Sequence, residues 1–142
     1  MTRLDNWQSR LSEYLVQCAH TPFRYGQLDC GLFVAESIEA MTGVDVALPL
    51  RDKYTNRTEA FAAIKALCGS PTMEAVAEYI AREHGIPEVP VLRAQRGDAL
   101  VLKSGRRSTL GILAMHGTEI LTPYEDGILR VTLSLATHAY HI

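Results

Sequence analysis

The sequence lacks any apolar run that approaches the roughly 20 residues needed to span a bilayer. Residues 1–10 are polar and contain no apolar signal core, so we expect no signal peptide and synthesis in the cytoplasm. The 142 residues carry a formal net charge of −2, and no block of like charges stands out. These absences argue against a membrane-spanning protein and, on charge, against a nucleic-acid partner.

Cysteine is scarce, with three residues and no Cys-x-x-Cys spacing. An odd, sparse count disfavours a disulfide scaffold and a zinc site, and no other cofactor or metal is indicated. Cys18 and Cys68 fall at apolar positions of helical patterns, which predicts that both are small core residues. Cys30 differs from them because polar and aromatic residues precede it.

Cys30 follows a loop with aromatic residues and a glycine, and a helical pattern begins there. The apolar positions continue at helical spacing, at Val34, Ile38 and Met41. Gly43 is the predicted end of this helix and Asp29 its predicted N-cap. The first-turn amides and the helix dipole would then face the sulfur, which predicts a lowered thiol pKa and a reactive thiolate. The alternative is a buried, inert cysteine behind a capping aspartate.

Three other helices are predicted from their start and stop signals. Asp5 is the predicted N-cap of the first helix, Asn56 of the third and Ser70, followed by Pro71, of the fourth. Gly69 and Gly85 are predicted to end the third and fourth helices.

The hydrophobic period changes after residue 89. Strands are predicted at residues 99–103, 109–115, 118–121, 128–133 and 136–142, with turns at 116–117 and 123–127. Because the strands follow the helices, we predict an α+β fold in which N-terminal helices pack on one face of a C-terminal antiparallel meander. A chain of this length fits one domain, residues 1–142.

Two segments resemble motifs of the NlpC family of papain-like cysteine peptidases, which cut peptide bonds in the bacterial cell wall. Phe23-Arg24-Tyr25-Gly26, followed by Asp29-Cys30-Gly31-Leu32-Phe33, is similar to the nucleophile segment of that family. Residues 96–102 resemble its Gly-Asp strand. The resemblance covers nearly the whole chain. It implies the NlpC-type fold, Cys30 as nucleophile, and Phe23, Tyr25 and Gly26 as substrate-binding residues.

Within this superfamily the chain most resembles a group of small proteins encoded among phage tail genes. The shared features are the Pro-Phe-x-Tyr/Trp-Gly-x-x-Asp-Cys segment, a Thr-Gly after the first core helix and a later Gly-Asp strand. This resemblance implies phage tail proteins as partners and association with the virion. Cell-wall peptides are the alternative ligands.

The polar residues that should assist the thiol are missing. Thr109 stands at the position of the family's catalytic histidine, and Thr122 at that of the orienting residue. A threonine hydroxyl cannot act as a base near neutral pH. Phe23 replaces a tyrosine whose hydroxyl helps the oxyanion site in the family. Among the histidines, His138 is the candidate substitute base, with His141 and His20 as weaker ones, whereas His116 is predicted to lie about 20 Å from Thr109.

Three hypotheses remain. The first is a phage tail-associated protein with a degenerate peptidase site that acts in tail assembly or structure. The second is an active peptidoglycan endopeptidase that uses Cys30 with a relocated histidine. The third is an unrelated small cysteine hydrolase or acyltransferase with the same fold.

Overall fold

The structure is a computed structural model that describes residues 1–142. Four helices come first: α1 (Trp7–Cys18), α2 (Cys30–Thr42), α3 (Arg57–Cys68) and α4 (Met73–His84). Six strands follow: β1 (Glu88–Val89), β2 (Ala99–Ser104), β3 (Arg107–Leu113), β4 (Glu119–Tyr124), β5 (Gly127–Thr132) and β6 (Ala136–Tyr140). Short 3-10 turns lie at Val91–Arg93 and Leu133–Leu135. None of the helices combines the length and apolarity needed to cross a membrane.

Glycine ends α2, α3 and α4, as predicted. The three C-cap residues adopt left-handed φ values of +80°, +82° and +65°, at Gly43, Gly69 and Gly85. A residue without a Cβ takes this conformation at no steric cost. The predicted cap of α3 is also confirmed, because the Asn56 side chain accepts the Glu59 N–H at 2.9 Å.

Two predicted helix starts are wrong. Asn6, not Asp5, precedes α1, because the Trp7 N–H donates to the Leu4 carbonyl and closes a turn through Asp5. Thr72, not Ser70, caps α4, and its hydroxyl accepts a backbone N–H of the first turn at 3.2 Å. Pro71 therefore lies before α4 rather than at its first position.

The six strands form one antiparallel sheet in the order β1–β6–β2–β3–β4–β5. β2 to β5 form the predicted meander, but β6 crosses back to lie between β1 and β2. The meander prediction is therefore wrong for the last strand. Residues 99–102 of β2 are buried at every position. A strand buried in this way needs a partner on each edge and cover on each face.

Pro123 lies within β4 rather than in the predicted turn. β4 pairs with β3 only at Leu121 and Ile120. No ladder bond to β3 is therefore needed at Pro123, which has no N–H to donate. β4 continues to Tyr124 along β5, and the turn moves to residues 125–126.

The main core lies between the helices and one face of the sheet, which confirms the predicted α+β layout. α2 packs against α1 and against β3 and β4, while α4 packs against β3 and β2. A smaller apolar cluster covers the opposite face, and the 3-10 turns pack against it through Val91 and Leu133. Cys18 is buried in the main core as predicted, whereas Cys68 is half-buried at its edge.

Candidate functional site

The Asp29 carboxylate fixes the start of α2. Its Oδ1 accepts the Leu32 N–H at 2.9 Å, and its Oδ2 accepts the Gly26 N–H at 3.1 Å and the Tyr54 hydroxyl at 2.6 Å. Asp29 is 4% exposed, and a buried carboxylate requires such donors because an unpaired buried charge is costly. Burial and the Asp29 charge raise the pKa of the Tyr54 hydroxyl, so Tyr54 remains a donor.

The loop before α2 is a tight hairpin. Arg24 and Leu28 exchange two backbone hydrogen bonds, of 3.0 and 2.9 Å. Gly26 lies at its tip with φ +83°, and a Cβ there would overlap the Tyr54 carbonyl oxygen. Only glycine fits this position. Gly26 thus supports the site through its backbone and does not line the cavity described below.

The two loop aromatics lie side by side next to Cys30. The rings of Phe23 and Tyr25 meet edge to face, with centroids 5.0 Å apart. Such pairs are favoured by the ring quadrupole. Both rings border the same cavity as Cys30, so the structure brings these three predicted residues together.

The Cys30 thiol is half-buried and donates to the Met73 sulfur at 3.6 Å. Burial raises its pKa, and this effect outweighs the lowering caused by the Thr109 hydroxyl and the Leu110 backbone. The prediction of a lowered pKa is therefore wrong. The start of a helix does not by itself compensate for the loss of water around the sulfur.

Thr109 faces the Cys30 sulfur from β3, at the edge of the same cavity. Thr122 is buried on β4, and its hydroxyl donates to the Leu110 carbonyl at 2.9 Å. The β3–β4 ladder does not extend to Leu110, so this bond satisfies a backbone oxygen that the ladder leaves free. The Thr122 hydroxyl therefore stabilises the sheet, and its side chain does not border the cavity.

No histidine borders the cavity that holds Cys30. His138, the candidate substitute base, lies on β6 with its Nδ1 2.9 Å from the Thr137 hydroxyl. It borders a different depression, together with Glu74 and Glu78 of α4. His116 lies in the β3–β4 turn and contacts Thr118. The structure therefore does not bring the predicted substitute base to the thiol.

The cavity beside Cys30 has a volume of about 470 Å³ and lies between the helices and the β2–β3 turn. This volume is in the range of small-molecule sites, which is about 300–1,000 Å³. Its wall is mostly apolar, and three arginines border it, at Arg57, Arg106 and Arg107. The arrangement can hold a ligand against the sulfur, but it supplies no proton acceptor for the thiol.

A carboxylate–imidazole pair lies at the other end of α2, and the sequence interpretation missed it. Asp98 is fully buried and accepts the Arg3 guanidinium at 2.8 Å and the Gln95 N–H at 2.8 Å. The His141 Nδ1 lies 2.9 Å from the same carboxylate. Burial lowers the pKa of Arg3, and the Asp98 charge partly offsets this. The Gly97-Asp98 segment of the sequence indicated that Asp98 is important, but no local sequence pattern indicated that Arg3 or His141 would contact it.

The fold is shared with a protein of known structure. The crystal structure of the NlpC/p60 domain of the peptidoglycan hydrolase SagA matches with a TM-score of 0.57, covering 94% of this chain and 97% of that domain at 14% identity. At this identity the likeness establishes the fold, which is of the NlpC type. The chain belongs to the family described as a domain of unknown function (DUF6950), which it matches over residues 2–142. No curated protein sequence matches it.

Proposed function

We propose that the protein is a phage tail-associated component with an NlpC-type fold that binds a ligand or partner without hydrolysing peptides. The observation that carries this proposal is the Cys30–Thr109 contact, where a thiolate–imidazole pair would be needed. Burial favours the neutral thiol, and no imidazole borders the cavity. General-base assistance contributes about 10²- to 10⁴-fold. We therefore expect peptide cleavage below detection.

The tail setting is supported by the sequence resemblance to small proteins encoded among phage tail genes. We take residues 1–142 to form one NlpC-like domain that acts in tail assembly or structure. A fold retained for binding needs the cavity, the loop and Asp29, all of which this chain keeps. It does not need a proton acceptor at position 109.

The chemical part of the proposal is tested by incubating the protein with cell-wall peptides and, separately, with iodoacetamide from about pH 6 to about pH 10, which spans the ordinary thiol range. Cys30→Ala is the control, and mass spectrometry reports each cysteine. We expect no Cys30-dependent cleavage. Because the pKa of Cys30 is raised, we expect its alkylation to increase only above the pH at which a free thiol reacts. Cys30-dependent cleavage would overturn the proposal.

The assembly part is tested in a phage that encodes this protein. Deletion of the gene should stop the formation of infectious tails, and the wild-type chain and Cys30→Ala should restore them equally. Normal tails in the deletion, or rescue by the wild type alone, would contradict a structural role that is independent of the thiol.

The second candidate function is a cell-wall endopeptidase that uses Cys30 with a relocated histidine. One observation favours it: Cys30 and the aromatic loop border a cavity large enough for a ligand. This function requires a substrate-bound rearrangement that carries His138 or His141 to the sulfur. It predicts cleavage that is lost in Cys30→Ala and in one of the two histidine variants.

A further inference from the structure

The wall of the Cys30 cavity offers a ligand mostly hydrocarbon. This inference rests on the proposed function, because it takes the cavity as a binding site, and it names the class of ligand that the cavity binds. The apolar side chains of the wall come from α2, α3, α4 and the segment between α2 and α3, including Leu50, Ala60, Phe61, Ile64, Met73 and Val76. Such a surface favours a ligand that is itself largely apolar.

Four of the polar side chains in the wall are already engaged. Asp29 accepts three donors, one of which is the Tyr54 hydroxyl. The Ser108 hydroxyl donates to Glu74 at 2.8 Å, and the Thr72 hydroxyl caps α4. A peptide in the cavity would bring an N–H and a C=O with each residue, and these groups need partners when they are buried. An alkyl chain needs none.

The border of the cavity is cationic. Arg57, Arg106 and Arg107 are exposed there, and none of them forms an ion pair. Arg57 lies over the Phe61 ring at 5.1 Å, which places its charge next to the apolar wall. The acidic residue in the wall, Asp29, is buried and satisfied. A ligand with a terminal anion would complement this border.

We propose that the cavity binds a long-chain monocarboxylate, with the alkyl chain against the apolar wall and the carboxylate on the arginines. The binding is noncovalent and does not use the Cys30 thiol. The chemistry of the wall and its border selects this ligand class over a peptide, because one end of the ligand must be apolar and the other anionic.

The test is a fluorescence titration with cis-parinaric acid, followed by displacement with dodecanoate, methyl dodecanoate or a neutral apolar tetrapeptide. We expect saturable binding and displacement by dodecanoate. The methyl ester should compete about fivefold more weakly, since an exposed ion pair contributes at most about that factor. In the Arg106→Gln/Arg107→Gln variant, dodecanoate should bind up to about fivefold more weakly and the ester unchanged. Arg93→Gln/Arg130→Gln, away from the cavity, is the matched control, and circular dichroism checks each fold.

Four results would overturn the proposal. They are no saturable binding, equal competition by acid and ester, an Arg106/Arg107 variant that behaves like its control, and a tetrapeptide that competes as well as dodecanoate. Failure of this ligand proposal can be distinguished from failure of the proposed function. A failure to bind dodecanoate, with no peptide cleavage, would leave the non-hydrolytic role standing, whereas cleavage with intact binding would reject that role alone.

Discussion

The two ends of α2 hold separate halves of a thiol–imidazole site. At the N-terminal end, Cys30 lies beside Thr109 and has no imidazole. At the C-terminal end, near Met41, Asp98 holds the His141 imidazole, and there is no thiol. A helical rise of about 1.5 Å per residue separates Cys30 from Met41 by roughly 16 Å. Hydrogen bonds act over about 3 Å, so the halves cannot cooperate in this arrangement.

The difference between the two ends shows how little a carboxylate–histidine contact implies by itself. Asp29 and Asp98 are both buried and both fully hydrogen-bonded. Asp29 organises the loop before Cys30, while Asp98 ties Arg3 to the last residues of the chain. Each carboxylate therefore has a structural role. Catalysis would require a nucleophile and a base at the same end of the helix.

The largest expected effect tests the structural role of Asp98. Asp98→Ala should lower the free energy of unfolding by about 4 kcal/mol, because it leaves the half-buried Arg3 charge unpaired. Urea unfolding measures the change. Asp126→Ala, at an exposed position in the β4–β5 turn, is the control and should stay within about 0.5 kcal/mol. A loss below about 1 kcal/mol for Asp98→Ala would show that the buried cluster adds little stability.

The next effect concerns the loop at the Cys30 end. Gly26→Ala should cost about 3 kcal/mol, from a left-handed φ and from overlap with the Tyr54 carbonyl. Gly43→Ala has a similar φ of +80° but open space around it, so it should cost about 1 kcal/mol. Denaturant unfolding of both variants isolates the contribution of close packing. Equal losses would mean that the loop moves away from Tyr54 without penalty.

The smallest expected effect tests whether the Cys30 thiol is unreactive only because no imidazole lies beside it. Thr109→His should increase the iodoacetamide reaction of Cys30 near pH 7 by about tenfold, because a neighbouring imidazolium lowers a thiol pKa. Thr109→Val, which removes the hydroxyl without adding a base, should show no increase. Peptide mapping measures the rate at Cys30 alone. Equal rates for the two variants would show that burial, rather than the missing base, keeps the thiol unreactive.

Local signals sufficed for much of the fold. Asp29 and Gly43 set both ends of α2 through hydrogen bonds and a φ value that involve near neighbours in sequence. The α+β class followed from the order of the helical and strand patterns. Asp5 failed as a cap because a turn closed by Trp7 and Leu4 competes for the same residues.

Distant contacts decided what the sequence could not predict. The raised pKa of Cys30 depends on burial, to which Met73, 43 positions later, contributes. The Asp98 cluster joins residues separated by 95 positions in one bond and 43 in another. The place of β6 depends on which edge of the sheet is free once β2 to β5 have paired. Periodicity carries no information about any of these.

The position of β6 also has a consequence for the nascent chain. β1 and β2 leave the ribosome well before the strand that lies between them in the sheet. Until residues 136–140 emerge, the apolar β2 presents an open edge on which another polypeptide can add. The sheet is thus completed by its last-made strand, and until then the open edge of β2 is a site at which misassembly or aggregation can start.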